Sequence, residues 1–416
     1  MFVPMIPIGS LSQPVFLKNK RDLALIAVLL LLSNLTACSV NNFSTAEKGK
    51  TLFLSRYSFA NLPGWLEDNV DAAVPAMLSS CSCILRKNDD KYISSAVPRF
   101  GTVGDWRKAC MALKHNFKTN SSAATFRAVF EEYFAVWRAS DEISSDDLFT
   151  GYYEPTVRGA RKYDVNYTVP LYSRPDNLIM VNFGNFRKNM KRESIAGRSE
   201  EFQIKPYDSR AEIEGGSLKN KVKAIFYLSD PIDAFFLHIQ GSGLIILPDG
   251  SHTRVGYDGQ NGHAYFPIGQ YLIKEGYVEH DGISMQKIRT WLKNHPKQMH
   301  SIMNLNASYI FFREISGEGP IGAQGVVLTA GRSLAVDPTK HALGVPIWVD
   351  IDYDYYNSRI RRLMVAQDTG GAIHGPIRGD FFWGSGESAG EMAGPMKAKG
   401  RIWLLLPINV NPNSMH

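Results

Sequence analysis

Near its C-terminus the chain reads Val365-Ala366-Gln367-Asp368-Thr369-Gly370-Gly371-Ala372-Ile373-His374-Gly375, and Asp380 follows five residues later. Upstream, the apolar run Leu334-Ala335-Val336 leads directly into Asp337 and a proline. Each aspartate ends or follows an apolar run, and Gly, Pro or Phe comes soon after it. This pattern is typical of carboxylates that strand ends and tight turns place in one cleft, where glycine lets a ligand approach the backbone. It favours proton transfer or the binding of sugar hydroxyls over ordinary Asp-Gly turns.

Four further motifs lie upstream of this tail. They read Phe149-Thr150-Gly151-Tyr152-Tyr153-Glu154-Pro155, Pro206-Tyr207-Asp208-Ser209-Arg210-Ala211-Glu212-Ile213-Glu214, Phe235-Phe236-Leu237-His238-Ile239-Gln240-Gly241-Ser242-Gly243, and Val255-Gly256-Tyr257 continuing to Tyr265. Together with the tail, which is similar to a three-aspartate domain, they resemble the membrane-bound lytic transglycosylase A family. The resemblance runs from about Phe59 to about Pro407.

The resemblance implies a mainly β fold with N-terminal helices, in which a double-psi β-barrel domain is interrupted by a second, smaller β-barrel domain. A groove between the two barrels is a common place for a polymer site. We expect five parts: a lipoprotein signal peptide (1–37), a lipidated tether (38–55), a helical part with the first segment of the double-psi barrel (56–154), the inserted barrel (155–310) and the second, three-aspartate segment (311–416).

The N-terminus has the pattern of a bacterial lipoprotein leader. A basic segment, Lys18-Asn19-Lys20-Arg21, precedes an apolar run at residues 24–32 that is too short to span a bilayer. Leu35-Thr36-Ala37-Cys38 then matches a lipobox, so we expect cleavage before Cys38 and lipidation of that cysteine. The alternative is an ordinary signal peptide that contains a cysteine. Ser39 in place of Asp favours the outer membrane of a Gram-negative bacterium. The long stretch before Lys18 suggests a start codon further downstream.

Composition is ordinary for a globular enzyme, with 44% hydrophobic and 21% charged residues and a net charge of +6. This charge could favour an anionic polymer, but it is not the signature of a nucleic-acid-binding protein. The length allows two domains.

Helices are predicted first along the chain, starting at Leu62, at Asp105 and at Ser122. The third carries an aromatic stripe at helical spacing, Phe126, Phe130, Phe134 and Trp137, which we assign to the core. After Thr150 the pattern becomes β. We predict strands at residues 167–172, 223–228, 235–240, 244–247, 308–313, 325–329, 346–350, 362–367 and 401–406, and helices at 268–274 and 285–294.

The resemblance implies a lytic transglycosylase that cleaves the β-1,4 bond between N-acetylmuramic acid (MurNAc) and N-acetylglucosamine (GlcNAc) and forms 1,6-anhydro-MurNAc. The matching catalytic residue is Asp380, a general acid that then acts as a base, and the aromatic residues after it should raise its pKa. Asp368 and Asp337 would support it electrostatically. Two alternatives stay open: a hydrolytic muramidase that uses two of the aspartates, and a non-catalytic murein-binding scaffold lipoprotein.

Substrate contacts are expected from both walls of the groove. The candidates are Thr150, Gly151 and Tyr152 on one wall, Gln240, Gly241 and Ser242 on the other, and Gly370 and Gly371 in the glycine loop. The resemblance also implies one disulfide, from Cys110 to either Cys81 or Cys83, in an oxidising periplasm. Expected partners are peptidoglycan glycan strands, outer-membrane lipid through Cys38, and other murein synthases or hydrolases.

Two other kinds of site are weighed and set aside. The stretch Gly386-Glu387-Ser388-Ala389-Gly390 matches the nucleophile elbow of α/β-hydrolases, but Glu391 and the terminal His416 are the only acid and histidine after Ser388. The histidines are scattered without metal-ligand spacing, so no metal or cofactor is expected. We interpret His238, His263 and His374 as hydrogen-bonded groove or core residues.

Overall fold

A computed structural model describes residues 51–118, 122–141, 148–183, 186, 194–279, 283–317, 319–353 and 358–414. The fold described here is that of the compact unit Lys50–His416. The predicted signal peptide, Cys38 and most of the tether therefore lie outside the described residues. Within the described ranges, no helix has both the length and the apolar character needed to cross a membrane.

The described residues form a mainly β structure with helices at its N-terminal end. The strands are β1 (Phe53–Tyr57), β2 (Phe134–Ser140), β3 (Leu148–Glu154), β4 (Thr156–Ala160), β5 (Val169–Tyr172), β6 (Leu178–Asn182), β7 (Ser194–Glu200), β8 (Gln203–Pro206), β9 (Ala224–Leu228), β10 (Ser242–Ile246), β11 (His252–Gln260), β12 (Ile310–Ile315), β13 (Ser333–Val336), β14 (Pro346–Tyr353), β15 (Ser358–Asp368), β16 (Arg378–Ser385) and β17 (Lys397–Pro407). The α-helices are α1 (Val74–Ile84), α2 (Val103–Lys118), α3 (Ala123–Tyr133), α4 (Arg210–Glu214), α5 (Pro231–Gln240), α6 (Ile268–Lys274), α7 (Met285–Asn294), α8 (Pro296–Met303) and α9 (Glu387–Ala393).

The first barrel is a closed ring of six strands in the order β17-β14-β15-β13-β16-β3, because β3 pairs again with β17. Two of its pairings, β13 with β15 and β16 with β3, are parallel, and the others are antiparallel. β2 extends the sheet from β17, and β1 pairs with β2. Closure removes the exposed edges that an open sheet would present.

The helices α1 to α3 cover one side of this barrel. Trp65, in the turn region before α1, packs edge-on against the fully buried Trp348 of β14, with ring centroids 5.2 Å apart. A disulfide joins Cys81 of α1 to Cys110 of α2, so the structure pairs Cys81 and leaves Cys83 as a free thiol. A bridge that closes a loop of this length stabilises the fold by about 3 kcal/mol in the chain-entropy account.

The predicted first helix starts later than expected. After Leu62 the chain turns, because Gly64 has a positive φ of 74°, and a 3-10 helix at Val70–Ala73 precedes α1. Glycine adopts this left-handed conformation without the steric cost that other residues meet. Pro75 lies in the first turn of α1, where its missing N–H is tolerated.

The predicted aromatic stripe is core, but only half of it is helical. α3 ends at Tyr133, and Phe134 already has an extended backbone, with φ −122° and ψ 155°. Phe134 and Trp137 belong to β2, whose residues are mostly buried on both faces. A strand that is apolar on both faces does not alternate, so its sequence fits helical spacing equally well.

The inserted domain is a six-stranded sheet in the order β12-β11-β10-β4-β9-β5, and its two end strands contact each other. Its core includes Leu171, Phe226, Ile245 and Phe312, all fully buried. The small sheet β6-β7-β8 packs beside it. The helices α5 to α8 cover the side that faces α9 of the first barrel, where Gln286 donates a 2.8 Å hydrogen bond to the carbonyl of Gly390.

Two predicted strands are wrong. Residues 235–240 belong to α5, because Asp230 caps its N-terminus, Pro231 starts it and Gly241, with φ 76°, ends it. Most of this helix is buried, which made its sequence read as a strand. Residues 325–329 do not form a strand: the chain turns at Gly325, which has a positive φ of 79°, and Val327 makes one isolated β-bridge with Ile321. The other predicted strands are present with shifted ends.

The chain passes from the first barrel into the insert at Glu154, which is completely buried. Its carboxylate accepts hydrogen bonds from Arg254 Nε of β11, at 3.0 Å, and from Ser385 Oγ of β16, at 2.5 Å. Arg254 Nη1 also donates to the carbonyl of Gly317, where the chain returns to the first barrel. The cluster of Glu154, Arg254 and Ser385 therefore joins the two points where the chain passes between the barrels, at Glu154 and at Gly317, to strands of both barrels.

We predict that Glu154→Ala lowers the free energy of unfolding by about 3–5 kcal/mol, because it leaves the mostly buried Arg254 without its partner. Urea denaturation measures the change. As a control, Asp90→Ala removes the exposed Lys91–Asp90 pair and should leave the midpoint nearly unchanged. Equal effects of the two substitutions would contradict a structural role for the crossing cluster.

Candidate active site

The short strand β13 lies between the two strands that carry Asp368 and Asp380. Ala335 of β13 is opposite Asp368 on one side and opposite Asp380 on the other. Asp380 is in turn opposite Thr150 of β3. The β13–β15 register shifts at Ala335, and such irregularities re-aim side chains near functional sites. The two carboxylates therefore sit in one row across the sheet, with the smallest chiral side chain between them.

Asp380 lines the groove and is half-buried. Its Oδ1 accepts a 2.7 Å hydrogen bond from Thr150 Oγ1, and Thr150 Oγ1 accepts a 2.9 Å bond from Arg378 Nη2. Burial raises the pKa of Asp380 to about 6, with a further increase from the charge of Asp368. The Thr150 hydrogen bond and the Arg378 charge act in the opposite direction. A carboxyl with this pKa can hold a proton near neutral pH.

Asp368 has both oxygens occupied. Oδ2 accepts from the Tyr152 hydroxyl at 2.9 Å, and Oδ1 accepts from the backbone N–H groups of Ala323 and Thr369, each at 2.9 Å. Burial raises the pKa of Asp368, and these three hydrogen bonds oppose the increase. Asp368 therefore anchors the start of the glycine loop and places a second negative charge beside Asp380.

Asp337 lies below the groove rather than on it. Its Oδ1 accepts hydrogen bonds from the backbone and hydroxyl of Thr339, at 2.9 and 2.6 Å, in a local turn. Its Oδ2 accepts from Gly375 N at 2.9 Å, and Gly375 has a φ of 119°. Asp337 therefore fastens the end of the glycine loop, and its electrostatic support of Asp380 stays a prediction.

The groove between the barrels has one wall from each domain. The first barrel contributes Gly151, Tyr152, Ala335, Asp368, Thr369, Gly370, Gly371, Ala372, Ile373 and Asp380. The insert contributes Arg210, His238, Ile239, Gln240, Gln260, Tyr265, Asn306, Ser308 and Ile310. A larger concavity within the insert, around Tyr172 and Tyr227, contains none of the three aspartates, so the groove is the candidate site.

Five of the eight predicted substrate-contact residues line this groove: Gly151, Tyr152, Gln240, Gly370 and Gly371. The other three have different positions. The hydroxyl of Thr150 is bonded to Asp380, Gly241 ends α5, and Ser242 begins β10. At Gly151, an added Cβ would lie 2.7 Å from Trp383 Nε1 and 2.9 Å from Ala393 Cα, so only glycine fits.

Arg210 belongs to the motif that starts at Pro206 and lines the groove, although its sequence position alone predicts no role for it. It is 1% exposed and donates to the carbonyls of Asn306 and Ser308, at 3.0 and 2.8 Å, and to Glu214 at 3.1 Å. Its Nη1 also lies 3.0 Å from His238 Nδ1. Arg210 therefore holds α4, α5 and the loop before β12 in one wall. A buried arginine in a polar, helix-capping motif was the available signal.

Each of the three histidines has a hydrogen-bond partner, but only His238 is a groove residue; His263 is half-buried, and His374 is exposed. His238 is buried beside Arg210, and burial, followed by that positive charge, lowers its pKa well below the ordinary value. His263 Nε2 is 2.8 Å from the carbonyl of Tyr207, and His374 Nε2 is 2.9 Å from that of Gly371. Among the described residues, no three His, Cys, Asp or Glu side chains are grouped to hold a metal ion. The esterase-like Ser388 lies on the exposed side of α9.

The protein consists of a closed barrel and a smaller inserted barrel, with Asp368 and Asp380 in the groove between them. Proteins of this class have a groove suited to a polymer. The chain matches the family descriptions "MltA specific insert domain" over residues 148–313 and "3D domain" over residues 332–406. It belongs to the membrane-bound lytic murein transglycosylase A family, as its motifs predicted, and has the fold expected for that family.

Individual relatives agree with this assignment. The chain is 33% identical over 264 residues to membrane-bound lytic murein transglycosylase A of Escherichia coli K12, an alignment that spans 62% of this chain and 65% of the relative. A solved membrane-bound lytic murein transglycosylase from Agrobacterium tumefaciens is 33% identical with a TM-score of 0.73, over 85% of this chain and 97% of that one. E. coli MltA with bound chitohexaose is 26% identical with a TM-score of 0.61, over 89% and 99%.

We predict that Asp380→Asn stabilises the protein at pH 7. Because the folded-state pKa of Asp380 is raised, its contribution to stability is complete below about pH 4 and is lost as the pH rises through about 6. The substitution should therefore increase the free energy of unfolding by up to about 3 kcal/mol at pH 7 and by little at pH 4. Urea denaturation across this range tests the prediction, with the exposed Asp90→Asn as control. If the difference in the free energy of unfolding between Asp380→Asn and the wild type were the same at pH 4 and pH 7, the prediction would be contradicted.

Proposed function

We propose that this protein is a peptidoglycan lytic transglycosylase that cleaves the MurNAc–GlcNAc β-1,4 bond and forms 1,6-anhydro-MurNAc. The observation that carries the proposal is the carboxyl of Asp380, which lines the groove and has a pKa raised to about 6. The printed names of the relatives, lytic murein transglycosylase, support the reaction class, and a relative solved with chitohexaose supports a glycan ligand.

The proposed reaction needs one proton carrier. Asp380 donates its proton to the glycosidic oxygen as the bond from that oxygen to C1 of MurNAc breaks, and charge develops on the sugar ring. The C6 hydroxyl of the same MurNAc then bonds to C1 and gives its proton to the Asp380 carboxylate. Asp380 ends protonated, and no water is consumed. Because the nucleophile belongs to the substrate, it is already close to the carbon that it attacks.

The hydrogen bonds of Asp368 favour this reaction over hydrolysis. Hydrolases of the two-carboxylate type need a second carboxylate that acts as nucleophile or activates water. Both oxygens of Asp368 already accept hydrogen bonds, from Tyr152, Ala323 and Thr369, which leaves the carboxylate less available to attack the sugar or to activate water. Its negative charge can still stabilise the positively charged sugar in the transition state. A hydrolytic muramidase would release a reducing end instead of an anhydro end, and a scaffold protein would release neither.

We predict that Asp380→Asn lowers the release of anhydromuropeptides from purified sacculi by about 10³–10⁴-fold, since general acid–base catalysis contributes about 10²–10⁴-fold and the leaving group is poor. Binding to sacculi in a pelleting assay should persist, because the groove walls are unchanged. EDTA should leave turnover unchanged, since the proposed steps use only Asp380 and a substrate hydroxyl. Mass spectrometry of the released fragments identifies the product end.

The neighbouring aspartates provide the comparison. Asp368→Asn and Asp337→Asn should lower turnover less than Asp380→Asn, provided that circular dichroism shows an intact fold. Near-normal turnover of Asp380→Asn would contradict the assignment. Reducing-end products from the wild type would favour the muramidase, and turnover that EDTA abolishes would indicate a metal.

We infer an outer-membrane location on the periplasmic face, with a lipid anchor at Cys38. The relatives are named membrane-bound, the expected leader ends at Ala37 within the lipobox Leu35-Thr36-Ala37-Cys38, and Ser39 follows. The proposed partners are peptidoglycan glycan strands, outer-membrane lipid, and other murein synthases or hydrolases.

We predict that Cys38→Ala releases the protein from the membrane fraction, because the chain then lacks an acyl anchor. Cell fractionation followed by a high-salt wash measures the distribution, and Cys83→Ala, which leaves the lipobox intact, is the control. A Cys38→Ala protein that stays in the washed membrane fraction would contradict lipid anchoring.

A further inference from the structure

Arg378 and Asp380 lie two residues apart on β16, so their side chains share one face of the strand. Arg378 Nη1 donates to the carbonyls of Leu148 and Gly379, which fixes the guanidinium between β16 and β3. Its Nη2 donates to Thr150 Oγ1 at 2.9 Å. The guanidinium is therefore held by backbone on one side and aimed at the threonine hydroxyl on the other.

The direction of the Thr150–Asp380 hydrogen bond follows from these donors. A guanidinium can only donate, so Thr150 Oγ1 must accept from Arg378. A threonine hydroxyl has a single hydrogen, and the 2.7 Å contact to Asp380 Oδ1 is where it goes. The oxygen keeps a second lone pair, but Asp380 Oδ1 is the acceptor that the described residues offer to its hydrogen. While the hydrogen stays on that contact, Oδ1 is an acceptor, and the proton of the neutral carboxyl is on Oδ2.

We propose that Arg378 is a positioning residue, which acts through Thr150 to hold the transferable proton of Asp380 on Oδ2. No described residue donates a hydrogen bond to Oδ2, while Asp380 itself lines the groove. The oxygen that carries the proton is thus the one available to a glycosidic oxygen. This inference rests on the proposed function, because it assigns how the general acid is held ready.

The loss of Arg378 should have two consequences. The Thr150 hydroxyl could then rotate and accept from a proton on Oδ1, which would turn the acid away from the substrate. The pKa of Asp380 should also rise, because burial and the charge of Asp368 would act with less opposition. The other charged or titratable groups that face Asp380 are Tyr152 on β3 and, across the groove, Arg210, His238 and Tyr265, and these stay in place.

The experiment compares Arg378→Met and Thr150→Val with the conservative variants Arg378→Lys and Thr150→Ser. The full-length protein acts on soluble glycan strands, and kcat and KM for anhydromuropeptide release are measured from pH 4 to 9. Since the acid must be protonated, the wild-type rate should fall as the pH rises through the pKa of Asp380. Arg378→Met and Thr150→Val should lower the low-pH kcat by about 10-fold or more with little change in KM. They should also move the alkaline limb up by about one pH unit.

The conservative variants separate positioning from simple structural damage. Thr150→Ser keeps the hydroxyl and should match the wild-type pH profile. Arg378→Lys keeps the positive charge, so the pH at which its rate falls should lie close to the wild-type value. A titration of the Asp380 carboxyl by carbon-13 NMR, assigned by its absence in Asp380→Asn, provides a readout that does not depend on turnover. The same upward movement of the pKa is expected there for Arg378→Met.

An alkaline limb and a carboxyl titration that stay unchanged in Arg378→Met and Thr150→Val would overturn the inference, even if less folded protein is obtained. A Thr150→Ser protein as impaired as Thr150→Val would overturn it as well. These results differ from a failure of the proposed function, which would be near-normal turnover of Asp380→Asn or the absence of anhydro ends from wild-type products.

Discussion

The pairing of β13 with both β15 and β16 is the constraint on which the site depends. It puts Ala335 between Asp368 and Asp380, so that two acidic groups on either side of one residue face the same groove. β13 has only four residues, all buried, and it is held on both sides by hydrogen-bonded ladders. A larger side chain than alanine would enter the space between the carboxylates. The barrel therefore holds two acidic groups close together, where burial and the charge of Asp368 raise the pKa of Asp380.

The same barrel contains a second buried carboxylate, that of Asp350, whose pKa is lowered rather than raised. Burial would raise the pKa of Asp350, but hydrogen bonds from Arg359 and Arg401 outweigh it and lower that pKa. Asp380 has no arginine hydrogen-bonded to it among the described residues: Arg378 donates to Thr150, and Thr150 donates to Asp380. Direct pairing with cations keeps a carboxylate ionised, while a hydroxyl between cation and carboxylate leaves the pKa raised. The number and distance of the cations thus separate a structural aspartate from one that can exchange a proton.

The insert contributes a rigid wall rather than a second set of acids. Arg210 is buried beneath this wall and bonds to carbonyl oxygens, and Glu154 with Arg254 joins the insert to the first barrel. The contact between Gln286 and Gly390 adds a second link. Because these contacts are buried or span the two barrels, the width of the groove is set by both domains together. A polymer that enters the groove meets Asp380 on one wall and polar side chains such as Gln240 and Gln260 on the other.

Much of this protein is readable from local sequence. Glycines and prolines mark turns, apolar runs mark strands, and five motifs in order identify the family and point to Asp380, because these signals depend on neighbouring residues. The tertiary structure decided which groups meet. Thr150 is 230 positions from the carboxylate that it contacts, and Tyr152 is 216 positions from Asp368. It also decided that Asp337 fastens a loop, that residues 235–240 are helical, and that Arg378 aims at a hydroxyl. Those outcomes depend on strand register and burial, which bring together residues that the sequence keeps far apart.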